Sequence, residues 1–480
     1  MQKLTRMQRV QLLSLTAASG SIPNLETALA STGCLLSGAL PPLRWPMGCC
    51  LMLDAAAAGQ LEVCQWLWQQ HGCPLHAAVE AAAASGQRAI CEWGLAAGCP
   101  WASIFAYKAA EQVHVGLMEW LLHKGTLMPT GEIAFSLLEA VAAGCDLLCL
   151  QRFYQEWVGA HPDQLEELDL HEWCKWSILA AAAGSPTPDW QAKVEWLEAR
   201  GFEQFEDACK KAAGCPDALD RLRWLRGRGY PLQLGSAIPA AERGNLEVLR
   251  YLLEEGLTPG IWCSHRAAAK VQLAALQLLH DHGCPLSMDV VGAAAAEGHL
   301  HVVVWLVEEV LGPAGVQLEN GVFSSAAKSC KIALLSWLRG QGCPWDASVY
   351  AGATEAGCAE ALEWLTEQGC PMQEDGTPYV KAARNGDLAT LRCLRRLGCP
   401  WGPPGLVFAR CIRDVCELPV LGFLLESGCP ADWDVVAAAV EEIVQQMYQT
   451  GTQKAEERAR VLLQWLQENS EGRVPATHST

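Results

Sequence analysis

Apolar and polar positions follow a helical period along this chain, in short bursts separated by glycine. From Pro285 to Trp305 it reads P-L-S-M-D-V-V-G-A-A-A-A-E-G-H-L-H-V-V-V-W. Val291, Ala294 and Ala295 fall on one face of a first predicted helix. Leu300, Val303, Val304 and Val307 fall on one face of a second, with Trp305 and Leu306 widening the stripe. Gly298, between them, suits the left-handed conformation that ends a helix. Each helix is near or below the ~12–15 residues an isolated helix needs and buries a single stripe, so the pair requires neighbours of its own kind.

The rest of the chain supplies them. The second helix returns as Leu61-Glu62-Val63-Cys64-Gln65-Trp66-Leu67, as Gly116 to Leu121 and as Asn245 to Leu252. Further copies end at Leu279, Leu338, Leu365, Leu394, Leu425 and Leu466. An alanine-rich helix precedes most of them, as at Ala55 to Ala58, Ala81 to Ala84, Ala180 to Ala183 and Ala437 to Ala439. Small residues let these helices approach closely, and the second helix carries the bulky aromatic. A Gly-Cys-Pro turn closes the unit at Cys73, Cys99, Cys284, Cys343, Cys370, Cys399 and Cys429, whereas the copy at Cys215 falls between the two helices. Gly takes the left-handed turn, Cys packs inward as a small apolar residue, and Pro prevents continuation.

Units run mostly 26–30 residues, and about 15 fit the chain. The expected fold class is all-α: an α-solenoid of stacked helix–turn–helix repeats. The expected organisation is an N-terminal capping unit over 1–48, repeats over 49–160 and 191–430, and an acidic, Pro-containing irregular insertion over 161–190. A C-terminal capping unit over 431–469 and a disordered tail over 470–480 complete it. The insertion holds Asp163, Glu166, Glu167, Asp169 and Glu172, then Ser185-Pro186-Thr187-Pro188, a candidate hinge or divider.

Several segments resemble the ankyrin repeat, a turn followed by two antiparallel helices. They are A-A-A-A-G-Q-L-E-V at 55–63, A-A-E-R-G-N-L-E-V-L at 240–249, A-A-A-A-E-G-H-L-H-V-V at 293–303 and G-T-P-Y-V-K-A-A-R-N-G-D-L at 376–388. Pro74-Leu75-His76-Ala77-Ala78 echoes the opening of that repeat. The Gly-Cys-Pro turn resembles a divergent ankyrin-like subgroup of unicellular eukaryotes. Units here are shorter than the ~33 residues of that family, so the projecting finger loops and their contact positions do not carry over. The resemblance implies a protein-interaction scaffold with an extended concave surface. It also implies an alternative, because chains of this subgroup are grouped at times with sphingomyelin phosphodiesterase-related proteins.

Composition narrows the chemistry. Of 480 residues 51% are hydrophobic, yet no uncharged run reaches the ~20 residues a membrane-spanning helix requires, and one such run, Trp93 to Tyr107, is broken by Pro100. With 53 acidic against 35 basic residues the net charge is -18, which argues against nucleic acid as a partner. Two basic sets, Arg221, Arg223, Arg226 and Arg228 and then Arg392, Arg395 and Arg396, read as solvated helix faces or as docking patches for an acidic partner. Residues 1–25 contain Lys3, Arg6 and Arg9 and no acid. They fit the first helix of a cap in a cytoplasmic chain, or, as the alternative, an organellar transit peptide.

The 23 cysteines show no C-x-x-C pair, and the turn cysteines, one unit apart, are too distant for disulfides. Cys145 with Cys149 and Cys411 with Cys416 read as core residues. His280-Asp281-His282 is the best local cluster for acid–base or metal chemistry, and its place in the last turn of a helix favours capping. Among 20 tryptophans, Trp66, Trp120, Trp224, Trp305, Trp337 and Trp364 recur at one packing position, while Trp101, Trp345 and Trp401 are candidate exposed anchors. No phosphate-cradling loop, nucleophile elbow or H-E-x-x-H is present. The expectations are therefore no catalytic, cofactor or metal residues, no cofactor, a protein partner, no nucleic acid and a monomer. Specificity is expected at polar positions such as Glu297, His299 and His301.

Overall fold

The computed structural model describes residues 4–36, 47–125, 131–159, 172–312, 317–414, 416–449 and 453–470. The acidic residues Asp163, Glu166, Glu167 and Asp169, and the tail beyond Ser470, lie outside them. The described residues are helical apart from turns and one isolated antiparallel bridge between Cys34 and Asp387. The chain is an all-α helical-repeat solenoid. It forms two compact units, one of Met1–Leu13, Pro23–Gly48 and Leu318–Thr480, the other of Ser14–Ile22 and Cys49–Gln317.

Within the second unit the repeat is plain at the stretch from Pro285 to Trp305. The inner helix Met288–Glu297 buries Val290, Val291, Ala294 and Ala295. Gly298 ends it at φ 80°, while its N–H reaches Ala295 O and the N–H of His299 reaches Ala294 O at 2.9 Å. A residue with a Cβ would be strained there. The outer helix Leu300–Trp305 continues as a π-helical turn over Leu306–Leu311. Its buried face is Val302, Val303 and Leu306: of the stripe its spacing predicts, Val303 and the widening Leu306 are buried, whereas Leu300, Val304, Trp305 and Val307 are half-buried. The reason is tertiary: the inner helices pack closely on one another through alanine, so the outer helix leans on its own partner, and Leu300, Val304 and Trp305 line a half-open groove with His301, Glu308 and Glu309.

The closing turns follow the expected mechanism. At Gly283 φ is 75° and the N–H of Cys284 returns to Leu279 O at 2.9 Å. The turn cysteines at 73, 99, 284, 343, 370, 399 and 429 are all buried. In the same unit, inner helices such as Ser103–Glu111, Gly131–Gly144 and Glu172–Ala183 pack in sequence. The first unit repeats the plan with inner helices Asn320–Ser329, Ser348–Ala356, Thr377–Arg384, Leu406–Arg413 and Trp433–Gln449.

The Ser185–Pro188 loop, expected as a hinge or divider, is tied down. Ser185 is buried and donates to Ala143 O at 2.7 Å, and Lys193 donates to Ser185 Oγ, Ala142 O and Cys145 O at 2.7–2.8 Å. Arg221 adds hydrogen bonds to Ala183 O and Ser185 O. Two buried cations thus hold the carbonyl ends of helices Gly131–Gly144 and Glu172–Ala183, where the helix dipole favours positive charge.

Candidate functional site

A binding surface can only be built from side chains that stacking does not consume. The residue opening each outer helix is largely consumed. Gln60 Nε2 donates to Ala18 O at 3.0 Å, Gln87 Nε2 to Ala57 O, and His299 Nε2 lies 3.1 Å from Ala269 O. Each satisfies an orphan carbonyl at the end of the preceding inner helix. His299, expected to carry specificity, therefore belongs to this ladder. Glu297 and His301 remain exposed.

The two basic sets are spent in the same way. Arg221 is buried, Arg226 pairs with Glu255, and Arg228 pairs with Glu195 and Glu198 while stacking over Trp224. Arg223 lies over the Tyr251 ring. In the other unit Arg396 pairs with Glu363, Arg395 donates to Ser427 O, and Arg392 lies over Phe423. These arginines tie successive units together. Inner helices carry matching ties, such as Arg266 to Glu242 at 3.0 Å and Lys328 and Lys381 to Glu355.

The three tryptophans that follow closing turns are half-buried and engaged. Trp101 donates to Leu121 O at 2.8 Å, Trp345 packs edge-on against Phe323 and Trp364, and Trp401 stacks on Tyr379 with centroids 3.7 Å apart. Trp262 stands exposed, at 67%, at the start of the inner helix Ile261–Ala269, as Tyr448 does on helix Trp433–Gln449. His265 sits one turn on with its ring edge-on to Trp262, and Leu234, on the segment leading into the neighbouring inner helix Ala237–Arg243, is also exposed. The buried hydroxyls of Ser236, in the turn before Ala237–Arg243, and of Ser264, with His265 Nδ1, have no hydrogen-bond partner among the described residues. The sequence held no distinct signal for this site: other inner helices also carry bulky aromatics, such as Phe105, Phe323 and Tyr379, and those are buried.

The remaining candidates are structural. His280 packs edge-on against Trp305, and His282 Nδ1 lies 2.8 Å from Leu278 O in its own helix. Cys145 is buried against Ala110 O, and Cys215, out of register in sequence, lies 3.5 Å from Gly184 O. None of the 23 cysteines is bridged. Among the described residues no group of three His, Cys, Asp or Glu is placed to hold a metal, and no helix is long and apolar enough to cross a membrane.

No family model matches this chain, and no curated protein matches it. Among solved structures it is similar to the pentatricopeptide repeat protein PPR10 from maize, with TM-score 0.26 and 12% identity over 95% of this chain and 74% of that one. The same protein in complex with an 18-nt psaJ RNA element matches with TM-score 0.26 and 12% identity, over 95% of this chain and 80% of that one. The expectation of no nucleic acid is corrected: one of these chains is solved in complex with RNA, and net charge alone does not exclude such a partner. The net charge of -18 averages over the whole chain, whereas any contact is local.

Proposed function

We propose that the chain is a non-catalytic binding scaffold of ankyrin-like units that takes a protein partner on its inner-helix face, anchored at Trp262. The observation that carries this reading is the exposure of Trp262 on an inner helix, beside Leu234 and His265, while the tryptophans that follow closing turns are engaged in packing and hydrogen bonding. Tryptophan is enriched among residues that dominate protein interfaces, and a rigid anchor binds without a large ordering cost. The glycine turns and paired helices at 55–63, 240–249 and 293–303 support the ankyrin-like reading. The buried, unbridged turn cysteines support a reducing compartment such as the cytoplasm.

The test is affinity capture with the whole chain and with Trp262→Ala, followed by titration of the purified partner. Loss of a buried aromatic anchor is expected to weaken binding about 30-fold, or about 2 kcal/mol. Equal affinity of the two chains would remove Trp262 from the site. Capture of RNA at this face would replace the protein reading. Cleavage of a lipid phosphodiester by the pure chain would overturn the non-catalytic one.

A further inference from the structure

The outer helix Leu300–Trp305 and the π turn Leu306–Leu311 that continues it break a pattern kept elsewhere in the second unit. On three other outer helices the tryptophan is followed four residues later by a cation that lies over its ring. Lys124 lies over Trp120 at 5.7 Å, Arg200 over Trp196 at 3.6 Å and Arg228 over Trp224 at 4.9 Å. That spacing places both side chains on one face, one turn apart. Four residues after Trp305 stands an acid, Glu309, with Glu308 beside it. Acids on other outer helices are tied to arginines of adjacent units, as Glu119 is to Arg152 and Glu198 to Arg228. Among the described residues Glu308 and Glu309 meet no cation, and none lies over Trp305.

The π turn is what turns both acids outward. In an α-helix the residue stacked one turn beyond Leu306 would be Glu309 or Val310. Here the Gly312 N–H returns to Val307 O at 2.8 Å, five residues back, and Leu311 is the buried partner of Leu306. Glu308 and Glu309 are thereby both exposed, on the rim of the half-open groove whose apolar wall is Leu300, Val304 and Trp305. His280 of the preceding outer helix Leu273–Asp281 packs nearly perpendicular to the Trp305 ring, with centroids 6.1 Å apart, and steadies it.

We propose that this groove is a second docking surface, separate from the inner-helix face at Trp262, and that it takes a basic amphipathic segment of a protein partner. The partner's arginine or lysine occupies the place over Trp305 that Lys124, Arg200 and Arg228 fill over their own tryptophans, and its charge meets Glu308 and Glu309. Its apolar side chains seat on Leu300 and Val304, and the water they displace strengthens the contact between cation and ring. The net charge of -18 draws such a segment in. The two unpaired carboxylates repel phosphate, so neither nucleic acid nor an anionic lipid surface fits this groove.

The test selects a random-peptide library displayed on phage against the whole chain, with the whole chain carrying both Glu308→Gln and Glu309→Gln as the counter-selection. Both side chains are exposed, so the double variant keeps the fold. Peptides retained only by the unaltered chain are expected to carry arginine or lysine among apolar residues. A selected peptide, synthesised and labelled, is expected to bind the double variant and Trp305→Leu about tenfold more weakly, and to lose affinity as salt is added. It is expected to bind Trp262→Ala as it binds the unaltered chain, which keeps this result apart from that of the inner-helix face. Enrichment of acidic or uncharged peptides overturns the proposal, as does a library that yields no peptide separating the two chains. A peptide weakened by Trp262→Ala and not by the paired glutamine changes would place the binding on the other face and equally sink it.

Discussion

Arg9 and Asp387 meet across 378 residues of sequence, both almost fully buried, in a two-point contact of 2.7 and 2.6 Å. Arg9 also donates to Thr32 O and Gly357 O, and Asp387 accepts from the Thr390 N–H and hydroxyl. Two buried charges persist only when so surrounded, because desolvation otherwise exceeds their attraction. Removing one partner strands the other, so Arg9→Met or Asp387→Ala is expected to cost about 3–5 kcal/mol. Replacing both by apolar residues should cost less than the sum of the single changes. Denaturant midpoints for the two single variants and the double variant check this, and unmoved single variants would mean the N-terminal helix is not held there. Nothing in the sequence marks this pair. An arginine in a basic N-terminal helix and an aspartate that opens a helix each have an ordinary local explanation, and a single chain carries no signal for contact at that separation.

At the level of the element, the turns and paired helices were legible because glycine and proline act locally and the apolar period is helical. The face of the outer helix at 300–311 was legible only in part, through Val303 and Leu306, since the rest depends on how closely alanine lets the inner helices approach. Lys193 shows the same limit: its local sequence does not mark it, yet it donates to Ala142 O, Cys145 O and Ser185 Oγ. The ladder position makes a specific prediction. His299→Gln is expected to be nearly neutral, because Gln60 and Gln87 make the same reach. His299→Ala leaves Ala269 O without its partner and is expected to cost about 1 kcal/mol. Urea unfolding of the two variants separates them, and equal loss in both would show that the ring packs there without capping.

Across the whole molecule, repetition made the solenoid readable, while the surface stayed hidden because stacking and binding draw on the same residue types. Arginines that read as solvated helix faces or as docking patches form inter-unit ties, and Trp262 stands exposed. Repetition also multiplies a single-residue property into a molecular one. Burial pushes the thiols of Cys64, Cys73, Cys91, Cys209, Cys263 and Cys429 up to about 12, against about 8.5 in an unfolded chain. Below about pH 8.5 both states hold these protons and the stabilisation is complete. Between there and about 12 the unfolded chain has released protons that the folded chain keeps, so stability falls as pH rises. Each such thiol contributes a slope of about 1.4 kcal/mol per pH unit. Lys193, pushed down to about 8 by burial, acts in the opposite direction, but it is one group against many. Thermal unfolding under reducing conditions is therefore expected to show a Tm level up to about pH 8 and falling steeply by pH 10. A Tm that held constant or rose over that interval would mean that the cysteine ladder is open to solvent, and that the turns are not the closed inner seam of the stack.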